Sequence, residues 1–381
     1  AILNTHDAIR KIDIEEFNMK VLIAAGGSGG HVFPALALSQ KLNRQKDVEI
    51  VFVASRRALD RKILKKTPFK KVFLSINPMP YGLNFKIIPF VIKFICDLFV
   101  SAFILGVERP KIAVGFGGYT AGAILMLAAV MGIKTIIHEQ NLVPGRANKL
   151  LDKLVDIAAI SFEDSKIYFK KAATVFTGNP LRENIIFAAE KNISKFSGFD
   201  ENRFTILIMG GSQGARSLNR LVSGAIKGLE DNIKKNLQII HIAGSKDFDI
   251  VSNIYKENRI LAKTFSFIEN IHDAYRVTDL AISRSGAAAV FELLLYGKPM
   301  ILIPYPFKKN NQRFNARYFA DREAAIYKEE DSLNSDDLGN LIRDVMDDKD
   351  KLKKMSENAK RLSCPDAAER LADEVMKLAG I

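Results

Sequence analysis

Three strand-to-helix turns in this sequence are built of glycine: Gly26-Gly27-Ser28-Gly29-Gly30-His31, Gly115-Phe116-Gly117-Gly118-Tyr119 and Gly210-Gly211-Ser212-Gln213-Gly214. Glycine lets the backbone turn tightly and lets a ligand approach it closely. The helix after each turn offers unpaired N–H groups and the positive end of its dipole. Such a turn is an anion site suited to phosphate. One alone is weak evidence, because any tight strand–helix turn uses glycine, but three in one chain point to a phosphorylated ligand. His31 directly follows the first turn, and an imidazole that titrates near neutrality can take a proton or hold an anion. The turns do not fit other nucleotide fingerprints. Gly27-Ser28-Gly29-Gly30-His31-Val32 lacks the final small residue of G-x-G-x-x-G, and no G-x-x-x-x-G-K-[ST] occurs. This argues against a standard NAD enzyme and a P-loop NTPase.

The elements that must position these turns alternate along the chain. Val21–Ala24 reads as a strand, followed by a helix from about Pro34 to Asn43. Ile50–Val53, Ile112–Val114, Thr135–Ile137 and Ile157–Ile160 read as further strands, with a helix ending near Met131. The pattern restarts at Phe204–Met209 and continues at Ile239–Ile242, Leu280–Ser283 and Met300–Ile303. Continuous apolar strands alternating with helices indicate parallel sheets covered on both faces. The fold class is α/β, with two doubly wound domains joined near Thr177–Arg182, where Asn179-Pro180 signals a turn. Residues 1–18 form an N-terminal extension of open role. A last helix is expected to start at a capping box, Ser363 and Asp366. Its apolar stripe of Ala368, Leu371, Val375 and Leu378 must dock on something.

The chain has 381 residues, enough for two domains with a sizeable core. Hydrophobic residues make up 48% and charged residues 26%, which excludes a disordered or collagen-like chain. Two cysteines, Cys96 and Cys364, make neither a disulfide framework nor a structural zinc site, and a reduced, cytosolic compartment fits best. No secretory signal is expected, because the first 17 residues lack an apolar core. The net charge of +13 favours anionic partners. No basic stripe interleaved with aromatics is present, so no nucleic acid is expected as partner.

These motifs, taken in order, resemble the peptidoglycan lipid I N-acetylglucosaminyltransferase family. The resemblance rests on Gly26 to Ala35, on Gly115 to Tyr119 with His138-Glu139-Gln140-Asn141, and on Gly178-Asn179-Pro180-Leu181-Arg182. It continues through Gly210 to Ala215 and Ser283-Arg284-Ser285-Gly286-Ala287, and covers roughly Met19 to Leu378. It implies the GT-B fold, two Rossmann-like domains with the active site in the interdomain cleft. Residues 19–180 plus 364–381 would form an acceptor and membrane-binding domain, and 181–363 the UDP-GlcNAc-binding domain. The implied reaction moves GlcNAc from UDP-GlcNAc to the C4 hydroxyl of MurNAc on undecaprenyl-pyrophosphoryl-MurNAc-pentapeptide (lipid I), inverting the anomeric centre. No cofactor and no metal are implied. The implied location is the cytoplasmic face of the bacterial inner membrane, as a peripheral protein on an anionic membrane surface.

The resemblance assigns residues one by one. His31 is the candidate base, with positioning of the diphosphate as its other possible role. Ser28, Gly29 and Gly30 belong to the first loop, and Arg182 and Ser212 are the candidate diphosphate ligands. Glu292 would accept the ribose hydroxyls, and Ile268 would contact uracil. Ala287, Ala288, Ala289, Val290 and Phe291 complete the nucleotide segment. Asn141 and Gln312 match positions that hydrogen-bond the GlcNAc hydroxyls. Gly117, Gly118 and Tyr119 are candidates for the acceptor pyrophosphate.

The sequence departs from the family pattern at Ser28 and Ala289, each where Thr is usual, and at Lys308-Lys309-Asn310-Asn311. Asp247-Phe248-Asp249 looks like the metal-binding D-x-D of another glycosyltransferase fold, but in a polar stretch it reads as a solvated coincidence. Rival readings are a UDP-GlcNAc epimerase, a glycosyltransferase with another acceptor, a Rossmann-type oxidoreductase and an inactive membrane scaffold. The oxidoreductase lacks its fingerprint, and the scaffold has no need of His31, Asn141, Arg182, Ser212, Glu292 and Gln312 together.

Residues 85–107 are long and apolar enough to span a bilayer, yet hold Lys86, Pro89, Lys93 and Asp97. Each charge at the bilayer centre costs roughly 2.5–3.5 kcal/mol. A surface-lying or half-buried helix is expected instead. Ile87, Val91, Phe94, Ile95, Leu98 and Ala102 would cover the sheet. Ile88, Ile92, Phe99 and Phe103 would be left outside, with Lys86 and Lys93 facing lipid phosphates.

Overall fold

The computed structural model describes residues 19–45, 47–74, 87–190, 196, 198–211, 215–307 and 311–381, with the side chains of 87–90 excepted. The expectations for 1–18, Lys86, Ile87, Ile88, Pro89, Ser212 and 308–310 therefore fall outside what is described. The N-terminal half runs β1 (Met19–Ala24), α1 (Gly29–Leu42), β2 (Val48–Ser55), α2 (Ala58–Leu64), β3 (Lys70–Leu74), α3 (Ile87–Glu108), β4 (Ile112–Gly115), α4 (Gly118–Val130), β5 (Lys134–Glu139), α5 (Arg146–Leu151), β6 (Ile157–Ile160) and β7 (Ala173–Phe176). Helix α6 (Glu183–Glu190) leads into β8 (Phe204–Met209), α7 (Arg216–Gly228), α8 (Asp231–Lys235), β9 (Leu237–Ile242), α9 (Phe248–Glu257), β10 (Leu261–Phe265) and α10 (Ile271–Val277). The chain continues through β11 (Leu280–Ser283), α11 (Ala287–Leu295), β12 (Met300–Leu302), α12 (Gln312–Asp321), β13 (Ala325–Tyr327), α13 (Ser335–Asp347), α14 (Lys349–Arg361) and α15 (Ala367–Ala379).

Two all-parallel sheets result, ordered β3-β2-β1-β4-β5-β6-β7 and β10-β9-β8-β11-β12-β13. Both reverse direction beside their first strand, between β1 and β4 and between β8 and β11. The crevice at such a switch point, past the carboxyl ends of the strands, is where ligands enter this architecture. The glycine turns after β1, β4 and β8 and the Ser283–Ala287 turn after β11 all flank these two points. The central strands are apolar because helices cover both faces: Val21, Leu22, Ile23, Ile206, Leu207 and Ile208 are fully buried.

Strands β3, β7, β10 and β13 were not legible in the pattern. All four border their sheets, and β13 spans only three residues, so none carries a long apolar run. Helix α1 starts five residues earlier than the sequence suggests, so Gly29, Gly30 and His31 form its first turn. Glycine is tolerated there because the first N–H groups have no intrahelical acceptor in any case.

The final helix returns to the N-terminal sheet, where Leu371, Ala372, Val375 and Ala379 join the core that holds Val21 and Ile23. Its start corrects the capping-box expectation. Asp366 is the N-cap residue but its side chain caps nothing, and the Ser363 hydroxyl donates backward to the Lys360 carbonyl (2.8 Å).

Helix α3 turns a different face inward from the one expected. Ser101, Ile104, Leu105 and Glu108 are buried, Phe94 and Leu98 half-buried, and Val91, Ile95 and Ala102 lie outside. Glu108 anchors the C-terminal end, pairing with Lys70 (2.8 Å) and Lys20 (3.3 Å). These partners hold its carboxyl below the usual range against the opposing effect of burial. A polar anchor at the end of the helix sets its rotation, which apolar periodicity alone does not encode when the helix is apolar all round. No helix of the described residues is long and apolar enough to cross a membrane.

Candidate active site

The two sheets face each other across a cleft that holds a cavity of about 350 Å³. Its N-terminal wall is Ser28, Gly29, Gly30, His31 and Phe33 from the start of α1, with Gln140 and Asn141 from the end of β5. Its C-terminal wall is Met209 at the end of β8 and Gly211 after it, Ser266, Phe267 and Ile268 after β10, the first turn of α11, Tyr275, Glu292 and Gln312. Arg182 enters between them. Of the residues singled out for the nucleotide sugar, the cleft brings together Ser28, Gly29, Gly30, His31, Asn141, Arg182, Ile268, Ala287, Ala288, Ala289, Glu292 and Gln312. Val290 and Phe291 do not line it. They lie on the inner face of α11, packed in the C-terminal core with Leu207 and Leu293, because helical rotation turns them away from their neighbours' face.

A second cavity of about 140 Å³ lies in the N-terminal half, between the first two glycine turns. Gly118, Tyr119 and Thr120 line it opposite Gly26, Gly27 and Ser28, and Ser55 and Arg57 close its side. Gly117 is the N-cap of α4 with φ +80°, and Gly118 has φ +72°, both in the left-handed region that favours glycine. His31 and Ser28 line both cavities. The His31 ring has its Nδ1 3.1 Å from the Gly26 carbonyl oxygen and 3.4 Å from Ser28 Oγ. A carbonyl only accepts, so this contact puts the proton on Nδ1 and the lone pair on Nε2.

Arg182 and Glu292 form one unit. Arg182 Nη2 donates to Glu292 Oε1 (3.0 Å), and the buried Tyr275 hydroxyl donates to Oε2 (2.7 Å). Burial, the neighbouring carboxylate and this bond push the Tyr275 hydroxyl well above its usual range. The Phe33 ring lies 4.3 Å from the guanidinium carbon of Arg182, a cation–π contact across the cleft. Arg182 Nε is buried without a partner among the described residues.

The Glu139 carboxylate organises the other wall. It accepts from the Asn141 backbone N–H (2.9 Å) and side chain (3.1 Å), from Gly145 N–H (3.0 Å) and from Asn148 Nδ2 (2.9 Å). Asn141 Oδ1 in turn accepts from Asn315 Nδ2 (3.0 Å) of α12, tying the two halves together. Gln312 Oε1 accepts from the Tyr305 N–H (3.1 Å). Sequence reasoning did not single out Phe33, Tyr275, Glu139 or Asn315. Glu139 was within reach, since it stands inside a quoted motif. Phe33 was too, inside the motif Gly26 to Ala35, whereas Tyr275 carries no signal that separates it from core aromatics.

Arg284 was also missed. Buried, it donates to the carbonyls of Ile303 (3.1 Å) and Pro304 (2.9 Å), to Ser217 Oγ (3.0 Å) and to Glu330, joining the turn after β11 to α7. Asp247 requires a correction. It is buried, accepting from Asn219 Nδ2 (2.8 Å) and Arg216 Nε (3.2 Å), and precedes α9; only Asp249 is solvated. A carboxylate this committed to protein donors serves the loop after β9.

Comparison with known proteins places this geometry. Residues 21–160 match the glycosyltransferase family 28 N-terminal domain, and 205–371 the family 28 C-terminal domain. The chain is 36% identical over 360 residues to the UDP-N-acetylglucosamine–N-acetylmuramyl-(pentapeptide) pyrophosphoryl-undecaprenol N-acetylglucosamine transferase of Geobacter sulfurreducens, covering 94% of this chain and 98% of that one. It is 35% identical to the enzyme of the same name from Bacillus pumilus, covering 93% and 97%. Among solved structures it resembles Acinetobacter baumannii MurG, with a TM-score of 0.74 and 27% identity over 94% of this chain and 99% of that one. A UDP-GlcNAc 2-epimerase from Neisseria meningitidis superposes with a TM-score of 0.70 at 15% identity over 94% and 100%, a likeness of fold alone. With both domains matched in order and the relatives covered almost end to end, the chain belongs to glycosyltransferase family 28, in the MurG family, and has the GT-B fold.

Proposed function

We propose that this chain transfers GlcNAc from UDP-GlcNAc to the C4 hydroxyl of MurNAc in undecaprenyl-pyrophosphoryl-MurNAc-pentapeptide, inverting the anomeric carbon. The observation that carries the reading is the position of His31, on the boundary between a cleft cavity fit for a nucleotide sugar and a smaller cavity framed by two helix N-termini. The family membership and the relatives' shared name support the choice of donor and acceptor.

The chemistry is a single displacement. The acceptor oxygen forms a bond to C1 of GlcNAc as the bond from C1 to the diphosphate oxygen breaks. The acceptor proton passes to His31 Nε2, and UDP leaves with the electron pair. Arg182 and the dipole of α1 stabilise the charge that builds on the diphosphate. Each Glu292 oxygen has a second lone pair beyond those used by Arg182 and Tyr275, which leaves capacity for the two ribose hydroxyls. Ile268 and Phe267 supply apolar surface for the base, and Asn141 and Gln312 read the sugar hydroxyls. Gly118 and Tyr119 hold the acceptor pyrophosphate in the smaller cavity, which Gly117, the N-cap of α4, does not line. Residues 19–180 with 364–381 serve the acceptor and residues 181–363 the donor.

The test is incubation with UDP-[labelled GlcNAc] and a short-chain lipid I analogue, with analysis of the products. A β-linked disaccharide product is expected. Release of free sugar or epimerised nucleotide sugar, with no label in the acceptor, removes this reading.

The acceptor carries a polyprenyl chain, so the enzyme works at a bilayer, and α3 is the proposed contact, seated peripherally on the cytoplasmic leaflet. Phe99 and Phe103 are 73% and 71% exposed, and Ile92 and Val107 extend the same apolar surface. Apolar insertion together with cation attraction to anionic lipid is how a surface helix binds, with exposed Lys93 on this helix as one such cation. Phe99→Ser combined with Phe103→Ser is expected to weaken flotation with anionic liposomes while UDP-GlcNAc binding stays intact. High salt is expected to weaken flotation of the parent as well. A double variant that floats like the parent shows that the contact lies elsewhere.

A further inference from the structure

We propose that Asp60 is a positioning residue for the reaction, acting on His31 through the first glycine turn. This rests on the reading of His31 as the base. Asp60 stands in the first turn of α2, wholly buried, and touches neither the large cavity nor His31. Its Oδ2 accepts the Gly27 N–H (2.8 Å) and the Ser55 hydroxyl. From the same segment, Arg57 Nη1 donates to the Gly27 carbonyl (2.6 Å). Both backbone groups of Gly27 are thus held from one short stretch, Arg57 in the turn after β2 and Asp60 in the first turn of α2. Gly27 has φ +89°, so a side chain there is strained, and the bond to Asp60 is what holds this orientation of its amide.

The consequence reaches the imidazole through one peptide. Gly26 precedes Gly27, and its carbonyl receives the His31 Nδ1 proton. Gly26 itself is wedged: a Cβ there would lie 2.8 Å from Ser55 N, 2.9 Å from Thr120 Oγ1 and 3.0 Å from Asp60 Oδ2. The order of contacts is Ser55 and Asp60, then Gly27, then the Gly26 carbonyl, then Nδ1, leaving Nε2 with its lone pair toward the substrates. A group that orients a base by accepting its distal N–H is a recurrent device, and here a backbone carbonyl does it under the control of a buried carboxylate. Asp60 Oδ1 is buried with no partner among the described residues. A carboxylate kept at such a place is costly for stability, which points to a role in geometry.

The experiment measures kcat, the KM for acceptor and the Kd for UDP-GlcNAc in Asp60→Ala, Asp60→Asn, His31→Ala and the double variant His31→Ala/Asp60→Ala. Asp60→Ala is expected to lower kcat roughly 10- to 100-fold, the scale of a small misplacement of a reacting group, with the donor Kd unchanged. Asp60→Asn keeps an oxygen for Gly27 and Ser55 and is expected to recover most of that loss. In the His31→Ala background, removing Asp60 is expected to change kcat by less than about twofold, because the two act as one unit. The ¹⁵N spectrum of histidine-labelled protein adds a direct readout, with the His31 signal identified by its loss in His31→Ala. The parent is expected to show the Nδ1–H tautomer and Asp60→Ala a mixture.

The proposal is overturned if Asp60→Ala keeps parental kcat, lowers it equally in both backgrounds, or leaves the tautomer unchanged. If Asp60→Ala fails to fold, Ser55→Ala carries the same test at smaller amplitude, and parental kcat with an unchanged tautomer there overturns the proposal. Parental turnover in His31→Ala is a separate outcome: it removes the base itself and this proposal with it.

Discussion

Replacing His31 by alanine is expected to lower kcat roughly 10²–10⁴-fold, the usual worth of a positioned general base, while the Kd for UDP-GlcNAc stays within a few-fold. That loss corresponds to about 3–5 kcal/mol of transition-state stabilisation. The split follows from geometry. In the proposed mode the donor is held by groups spread over the C-terminal wall, including Glu292, Gln312 and the loop of Ile268, and His31 is one residue among many that line the cavity. Proton removal from the acceptor matters only as the new bond forms, so its loss falls on kcat. The Nδ1 contact with Gly26 leaves Nε2 as the atom that accepts. Steady-state kinetics with both substrates varied, together with calorimetric titration of UDP-GlcNAc, check the split. Parental kcat in the variant identifies His31 as a positioner at most, and a donor Kd weakened as much as kcat assigns it to the diphosphate.

A second large effect concerns acid. Among the described residues, each half of the molecule holds one fully buried neutral histidine outside the cleft chemistry. His138, at the end of β5, donates Nε2–H to the Gly178 carbonyl (3.0 Å) and accepts at Nδ1 from Gln140 Nε2 (3.0 Å). Burial pushes its pKa down to about 4, with the bond to Gly178 opposing. His241, in β9, donates Nε2–H to Asn219 Oδ1 (3.1 Å) and accepts at Nδ1 from the Tyr255 hydroxyl (2.8 Å). Burial pushes its pKa down to about 3, with the Asp247 charge opposing.

In the unfolded chain both titrate near 6.5. Above that pH both states are neutral and the native state keeps its full stability. Below it the unfolded state binds protons that the native state refuses, so stability falls with pH until the folded values are reached. At about 1.4 kcal/mol per unit, His138 accounts for a loss on the order of 3 kcal/mol and His241 for one on the order of 5 kcal/mol, against typical total stabilities of about 5–15 kcal/mol. Urea denaturation at pH values between about 6 and 4.5 is expected to show close to two protons taken up on unfolding, a slope of roughly 2.7 kcal/mol per pH unit. His241→Gln is expected to remove about half of that slope. A flat profile in the parent, or an unchanged slope in the variant, contradicts the assignment.

Local pattern alone determined the class of this protein. Apolar runs such as Val21–Ala24, Phe204–Met209 and Leu280–Ser283 can only be strands covered on both faces, and glycine after a strand marks a turn that leaves backbone N–H groups open to a phosphate. Those signals lie in neighbouring residues, so they survive in one dimension. The order of the motifs likewise carried the family, and with it His31, Arg182 and Glu292.

What depends on residues far apart was decided by the tertiary structure. The pairing of Arg182 with Glu292 joins residues 110 apart in the chain, and the stacking of Phe33 on that guanidinium and the bond from Asn315 to Asn141 join segments from opposite sides of the cleft. Side-chain direction was decided there too: Val290 and Phe291 turn into the core beside Ala289 and Glu292, which line the cavity, and α3 is rotated by the anchoring of Glu108 on Lys20 and Lys70. Asp247 and Asp60 look alike in sequence to any solvated carboxylate, and only the donors that close around them show otherwise. The physical reason is the same in each case. Periodicity reports which face of an element is apolar, whereas the partner of a buried polar group is set by the packing of elements that the chain brings together only when it folds.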